Sequence, residues 1–168
     1  MTEMMGMVMI YAMALLIGVV AGLRAMTAPA GIAWTAFLGR LDLSGSLLAF
    51  MGYVATPWIF TLLAAGELVT DQLPSTPSRK VPVQFGARIV SGGLCGAAVG
   101  VAGGSMIGGL AAGVIGAVIG TLGGAAARAG LAQIVGKDRP AAIVEDVIAI
   151  GGAIMVAGAL GHAATSLM

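Results

Sequence analysis

Apolar residues fill this chain in blocks of about twenty, separated by short polar punctuation. Five blocks have the length of a membrane crossing: about Met4–Leu23, Leu47–Val69, Val83–Ala102, Ser105–Ala127 and Ala141–Gly161. A helix satisfies its own backbone hydrogen bonds in lipid, so each block is expected to be α-helical. Two shorter apolar pieces, "AMTAPAGIAWTAFLG" at 25–39 and "RAGLAQIVG" at 128–136, suit re-entrant half-helices better than full crossings. The expected fold is an all-α polytopic membrane protein, a single integral-membrane domain over residues 1–168, with about five transmembrane helices and one or two half-helices.

The two short pieces can be laid on one another. "IGVVAGLRAMTAPAGIAWTAFLGR" from Ile17 and "IGAVIGTLGGAAARAGLAQIVGK" from Ile115 share an opening Ile-Gly, a Gly four residues after the first, and a closing Gly plus base. If the match reflects structure, the chain is an inverted repeat of the kind many transporters use. The competing account is chance alignment of abundant Gly and Ala.

Glycine spacing adds a packing expectation. Gly104 and Gly108, Gly109 and Gly113, and Gly116, Gly120 and Gly124 fall four residues apart in the fourth block. Residues at this spacing share a helix face, and their missing side chains let another backbone come close. The partner is a neighbouring helix of the same chain or another subunit, which makes a homo-oligomer an expectation. Pro57 falls inside the second block, where it would kink the helix against the Tyr53 carbonyl and act as a hinge. Trp34, Trp58 and Tyr53 are read as packing or interface anchors.

Composition confirms the class. Apolar residues make up 59% and charged residues 9% of the chain, with a mean hydropathy of +1.05, far from the roughly 45–50% and about 25% of soluble domains. A net charge of +1 gives no basic patch for nucleic acid. The single Cys95 supports neither a disulfide framework nor a thiolate metal site and is read as a small packing residue. Glu3 stands where a secretory signal would carry Lys or Arg, so the first block is expected to be a retained helix. One His, His162, far from the acids, gives no His-based metal site or Ser-His-Asp arrangement. No enzyme template, cofactor or metal is therefore expected.

The few charges carry the candidate chemistry. Glu67 and Asp71 close the second block on one helix face, Arg88 lies just inside the third, and Glu145 and Asp146 lie just inside the fifth. Ionisable side chains in a membrane are costly and usually face a bundle interior or wet cavity, so this group is the candidate substrate or ion site. The structural alternative is that Glu145 and Asp146 answer a helix dipole while the others mark the water boundary. Arg24, at the end of the first block, joins the site candidates, although snorkelling to the opposite interface competes with that role. With five crossings, Arg79, Lys80, Arg128, Lys137 and Arg139 mark the cytoplasmic side and Arg24 and Arg40 the other, which places the N-terminus inside and the C-terminus outside.

The blocks "GLRAMTAPA", "ELVTDQLPSTPSR", "GARIVSG" and "DRPAAIVEDVIAIGGA" together resemble the bacterial membrane family designated domain of unknown function 4126. The resemblance covers most of the chain and implies a small multi-pass protein of the bacterial inner membrane, with no assigned activity to transfer. From the residues, the leading expectation is a small membrane transporter or channel for a solute or ion that uses the acidic cluster near the cytoplasmic side. The alternative is a non-catalytic scaffold associating through the glycine face. A third reading is a lipid-phosphate flippase or enzyme with Arg79, Lys80 and Arg88 as head-group contacts.

Overall fold

The computed structural model describes residues 2–71, 81–136 and 138–165, and among them all regular structure is helical. In chain order the helices are α1 (Thr2–Leu23), α2 (Thr27–Phe37), α3 (Ala55–Thr70), α4 (Pro82–Ala102), α5 (Met106–Val135) and α6 (Asp138–Thr165), with a 3-10 turn at Ala49–Gly52 before α3. Four of them, α1, α4, α5 and α6, are long and apolar enough to cross a membrane. The protein is an all-α polytopic membrane protein.

The expected second crossing is shorter than the sequence block. The 3-10 turn and an extended Tyr53 precede α3, which spans Ala55–Thr70. Pro57 is therefore the third residue of α3, where helical N–H groups have no intrahelical acceptor, and it begins the helix rather than hinging it. The 25–39 half-helix is present as α2, whereas α5 runs through 128–136 without interruption. The inverted repeat fails on the same point. Leu15 and Val19 of α1 lie beside Gly116 and Gly120 of α5, so the two candidate opening helices run parallel, and only α1 breaks.

Small residues face inward and large apolar residues face out. A methyl group added to Gly109 or Gly113 would collide with the backbone of α4 at Gly96, Gly100 and Gly92, and one on Gly116 or Gly120 would collide with the backbone of α1 at Leu15 and Val19. Helix α5 is thus held between α4 and α1 at backbone contact, where lipid cannot match the dispersion gain. The neighbours are helices of the same chain, so a second subunit could use this face only by displacing α1 or α4. Gly108 meets the Tyr11 ring, and Gly124 is buried beside a cavity described below. Gly104 belongs to no packing face: it has a φ of 72° in the α4–α5 turn, with nothing near its missing side chain. On the outside, Ile107, Ile115, Ile119, Ile154 and Met155 are exposed, as lipid-facing positions should be.

Contacts along the helices fix their directions. Ile10 lies against Gly103 and Ala21 against Gly92, while Val20 lies against Gly152 and Arg24 pairs with Asp146, so α4 and α6 run antiparallel to α1. Helices α2 and α3 form an antiparallel pair: Trp34 Nε1 donates to Thr61 Oγ1 at 3.0 Å, and the Trp34 and Trp58 rings meet edge to face at 5.1 Å. The loop between them buries Leu41, Leu43, Leu48 and Met51 in the core. Asp42 accepts from the Ser44 N–H and hydroxyl, bonds that hold its carboxyl below the usual range. At this end of the bundle stand the start of α1, the α4–α5 turn and the last turns of α6, where Gly161 meets Arg40. The starting and finishing helices therefore share one end, where the sequence led us to expect opposite ends. An even number of long helices produces this.

Candidate functional site

The opposite end of the bundle is organised around the break between α1 and α2. Pro29 has no N–H to give the Ala25 carbonyl, and its ring crowds that carbonyl, so a helix cannot continue through Arg24–Met26. The chain stops at Leu23 and restarts at Thr27. Such a break leaves carbonyls at the end of α1 and N–H groups at the start of α2 without helical partners.

Other helices supply those partners. Arg88 of α4 donates through Nη1 to the carbonyls of Gly22 and Leu23 at 3.0 and 2.5 Å. Thr121 of α5 also donates to Gly22, at 3.2 Å. The hydroxyl of Ser91 donates to the Ala25 carbonyl. On the donor side, Glu67 at the end of α3 accepts from Ala25 N with Oε1 and from Met26 N with Oε2, both at 2.8 Å. A carboxylate in this position also complements the positive end of α2.

Arg24 is wholly buried within the same junction, 0% exposed, and pairs with Asp71 of α3 and Asp146 of α6. It does not snorkel to the far side. The reversal of α2 against α1 places the Arg24 turn level with the end of α3, which the sequence reading set on the opposite face. Arg88 Nη2 lies 3.6 Å from Glu67 Oε1 and 3.8 Å from Asp71 Oδ2. Arg128 of α5 reaches Glu145 of α6 at 3.8 Å.

All six residues singled out from the sequence, Arg24, Glu67, Asp71, Arg88, Glu145 and Asp146, thus gather at one end of the bundle. Arg128 joins them, together with Ser91 and Thr121, which the sequence reading did not single out. A hydroxyl or a base within an otherwise apolar helix was the available signal. Arg88 is the seventh residue of α4 and Asp146 the ninth of α6, so the junction sits about 9 to 12 Å inside the starts of α4 and α6 at ~1.5 Å per residue. Four carboxylates and three guanidiniums share this depth. Desolvating them is expensive and is offset only by pairing and hydrogen bonding. Arg79, Lys80 and Lys137 lie outside the described residues, as do the side chains of Arg139 and His162.

A cavity of about 230 Å³ opens between α5 and α6, lined by Leu23, Gly124, Ala127 and Ile148 with Arg128 and Glu145 among its walls. Its lining is almost wholly apolar. Among the described residues no cluster of His, Cys, Asp and Glu could hold a metal ion. Cys95 is buried and free within α4.

The fold and junction define a membrane-embedded helical protein with a broken helix whose ends are held by ionisable side chains. Searches of family models, curated proteins and solved structures give no match, so the functional reading rests on this geometry.

Proposed function

We propose that the protein carries a small solute or ion across the bacterial inner membrane, with the charged junction as its binding site. The observation that carries this reading is the α1–α2 break, whose backbone groups are held by Glu67, Arg88 and Ser91 from two other helices. Non-helical backbone at membrane depth is tolerated where it is buried or lines a pathway, and discontinuous helices of this kind form the binding sites of many transporters. Simple packing needs neither the break nor seven charges at one junction, four of them buried.

Orientation follows from the basic residues. Arg40 stands at the end away from the junction, while Arg24, Arg88 and Arg128 are at the junction, and Arg79, Lys80, Lys137 and Arg139 fall in or beside connections joining helices at that end. The junction side is cytoplasmic by the positive-inside rule. The chain resembles domain of unknown function 4126 on the blocks quoted above, and we assign it to no enzyme class and to no cofactor.

A second reading is a membrane scaffold, favoured by the ion pairing of the acids and the tight α1–α4–α5 contact. Its association would use the exposed apolar faces, because α1 and α4 occupy the glycine faces of α5. The two readings separate on function. Purified protein in lipid vesicles should accelerate exchange of at least one member of a panel of monovalent and divalent cations and small anions, relative to protein-free vesicles. No acceleration for any of them would leave the scaffold.

A further inference from the structure

The ligands of the junction form a recognition pattern in their own right. Two successive backbone N–H groups, Ala25 and Met26, hold the two oxygens of one carboxylate at 2.8 Å each, at the positive end of the eleven-residue helix α2. Arg88 stands beside that carboxylate and beside the next one, Asp71, which also engages Arg24. A free carboxylate or phosphate would be bound by the same groups in the same way.

Two independent features show polar capacity that α3 does not use. Arg24 is fully buried, yet its Nε has no hydrogen-bond partner among the described residues. The hydroxyl of Thr27, in the first turn of α2 and only 7% exposed, is also without one. Buried polar groups are nearly always paired, so two idle ones at an anion-shaped junction point to a ligand.

The helix supplying the carboxylates is loosely attached. Helix α3 packs chiefly on α2 and on the 3-10 turn, and Leu62, Leu63 and Val69 are exposed along it. Withdrawing its end costs little packing with α1, α4 or α5. Without Asp71, Arg24 would keep only Asp146 of its two carboxylate partners.

We infer that Glu67 and Asp71 are a tethered stand-in for a small anionic solute with paired oxygens, a carboxylate or phosphate, which binds Ala25 N–H, Met26 N–H, Arg24, Thr27 and Arg88 when the end of α3 moves away. This rests on the reading of the junction as a solute site and names the class of solute. Competition by the tether weakens apparent affinity by the fraction of time the site is free.

The test uses the full chain purified in detergent. Trp34 and Trp58 are the two tryptophans of the sequence and touch across the α2–α3 contact, so their fluorescence reports movement of α3 on α2. The probes are succinate, acetate and inorganic phosphate, with chloride as control. We expect a saturable change with a carboxylate, with phosphate or with both, the active probe identifying the source, and none with chloride at equal ionic strength. Glu67→Gln should bind about tenfold more tightly, as for a tether docked in about nine molecules of ten. Arg24→Gln should lose the response. If that variant does not fold, Thr27→Val, which removes only the idle hydroxyl, should weaken binding. No saturable response, an equal response to chloride, or Glu67→Gln binding no tighter than the natural protein would overturn the inference. Saturable binding without vesicle exchange would remove the transport reading and leave the anion site; exchange of a cation without anion binding would do the reverse.

Discussion

The Ser91 hydroxyl donates to the carbonyl of Ala25, the group that Pro29 leaves without a helical donor. One proline opens the first helix, and one serine on another helix accepts the consequence. Both groups are buried, so Ser91→Ala should destabilise the protein by about 1–3 kcal/mol, the usual cost of an unsatisfied buried acceptor. In a Pro29→Ala background the new N–H can serve the same carbonyl, and the loss should shrink. Detergent melting of the four proteins of this cycle checks it; equal losses in both backgrounds would refute the coupling.

Glycines of α5 should respond by position. Gly116→Leu and Gly120→Leu drive side chains into the backbone of α1, and adding methylenes to a well-packed core typically costs about 1–3 kcal/mol. Here the obstacle is backbone, so we expect loss of the folded monomer or a large drop in melting temperature. Gly123→Ala meets nothing within 4 Å and should be neutral or stabilising by up to about 1 kcal/mol through helix propensity. Comparable melting temperatures for Gly120→Leu and Gly123→Ala would contradict the contact.

Both ends of the chain should report from the non-cytoplasmic side. Helices α1 and α6 begin and finish at the end away from the junction, and of the described basic residues Arg24, Arg88 and Arg128 lie at the junction while Arg40 lies at the far end. Reporter fusions at the two termini test this. Fusions active on opposite sides would require an odd number of crossings.

Much of this architecture was legible because membrane solvent leaves a simple signature. Block length gave helices α1, α4, α5 and α6, and Pro29 with the shortness of 25–39 gave α2. The rarity of charge gave six of the seven ionisable residues of the junction and missed Arg128. Arg24 was nonetheless set on the wrong face, because its position depends on α2 turning back against α1, and no local pattern encodes that reversal. Leu47–Val69 reads as one apolar block, yet its first third is a 3-10 turn and an extended residue that fold over the core. Hydropathy alone does not distinguish a residue facing lipid from one facing protein. Glycine spacing showed that α5 is closely packed but not by which helix, since lipid, a sister helix and a second subunit place the same demand on sequence.

Arg128 should matter through Glu145. Their ion pair, at 3.8 Å with both side chains largely buried, joins α5 to α6 beside the apolar cavity. Removing one partner of a buried pair typically costs about 3–5 kcal/mol. Glu145→Gln and Arg128→Gln should each lower the melting temperature, and the double variant should recover part of the loss. Additive losses in the double variant would show that the pair is not coupled.

The most direct test of the charged junction as a transport site is the exchange rate of lipid vesicles carrying Asp71→Asn against those carrying the natural protein. The comparison uses whichever solute the natural protein moves, at matched protein content and helicity. The amide keeps the shape of the side chain and removes the charge that engages Arg24 and Arg88. Without that charge, the end of α3 no longer displaces a bound solute and closes the site. The account predicts a fall in exchange of at least about tenfold, equivalent to ~1.4 kcal/mol on the barrier, with the fold retained. Exchange by Asp71→Asn at the rate of the natural protein would contradict it.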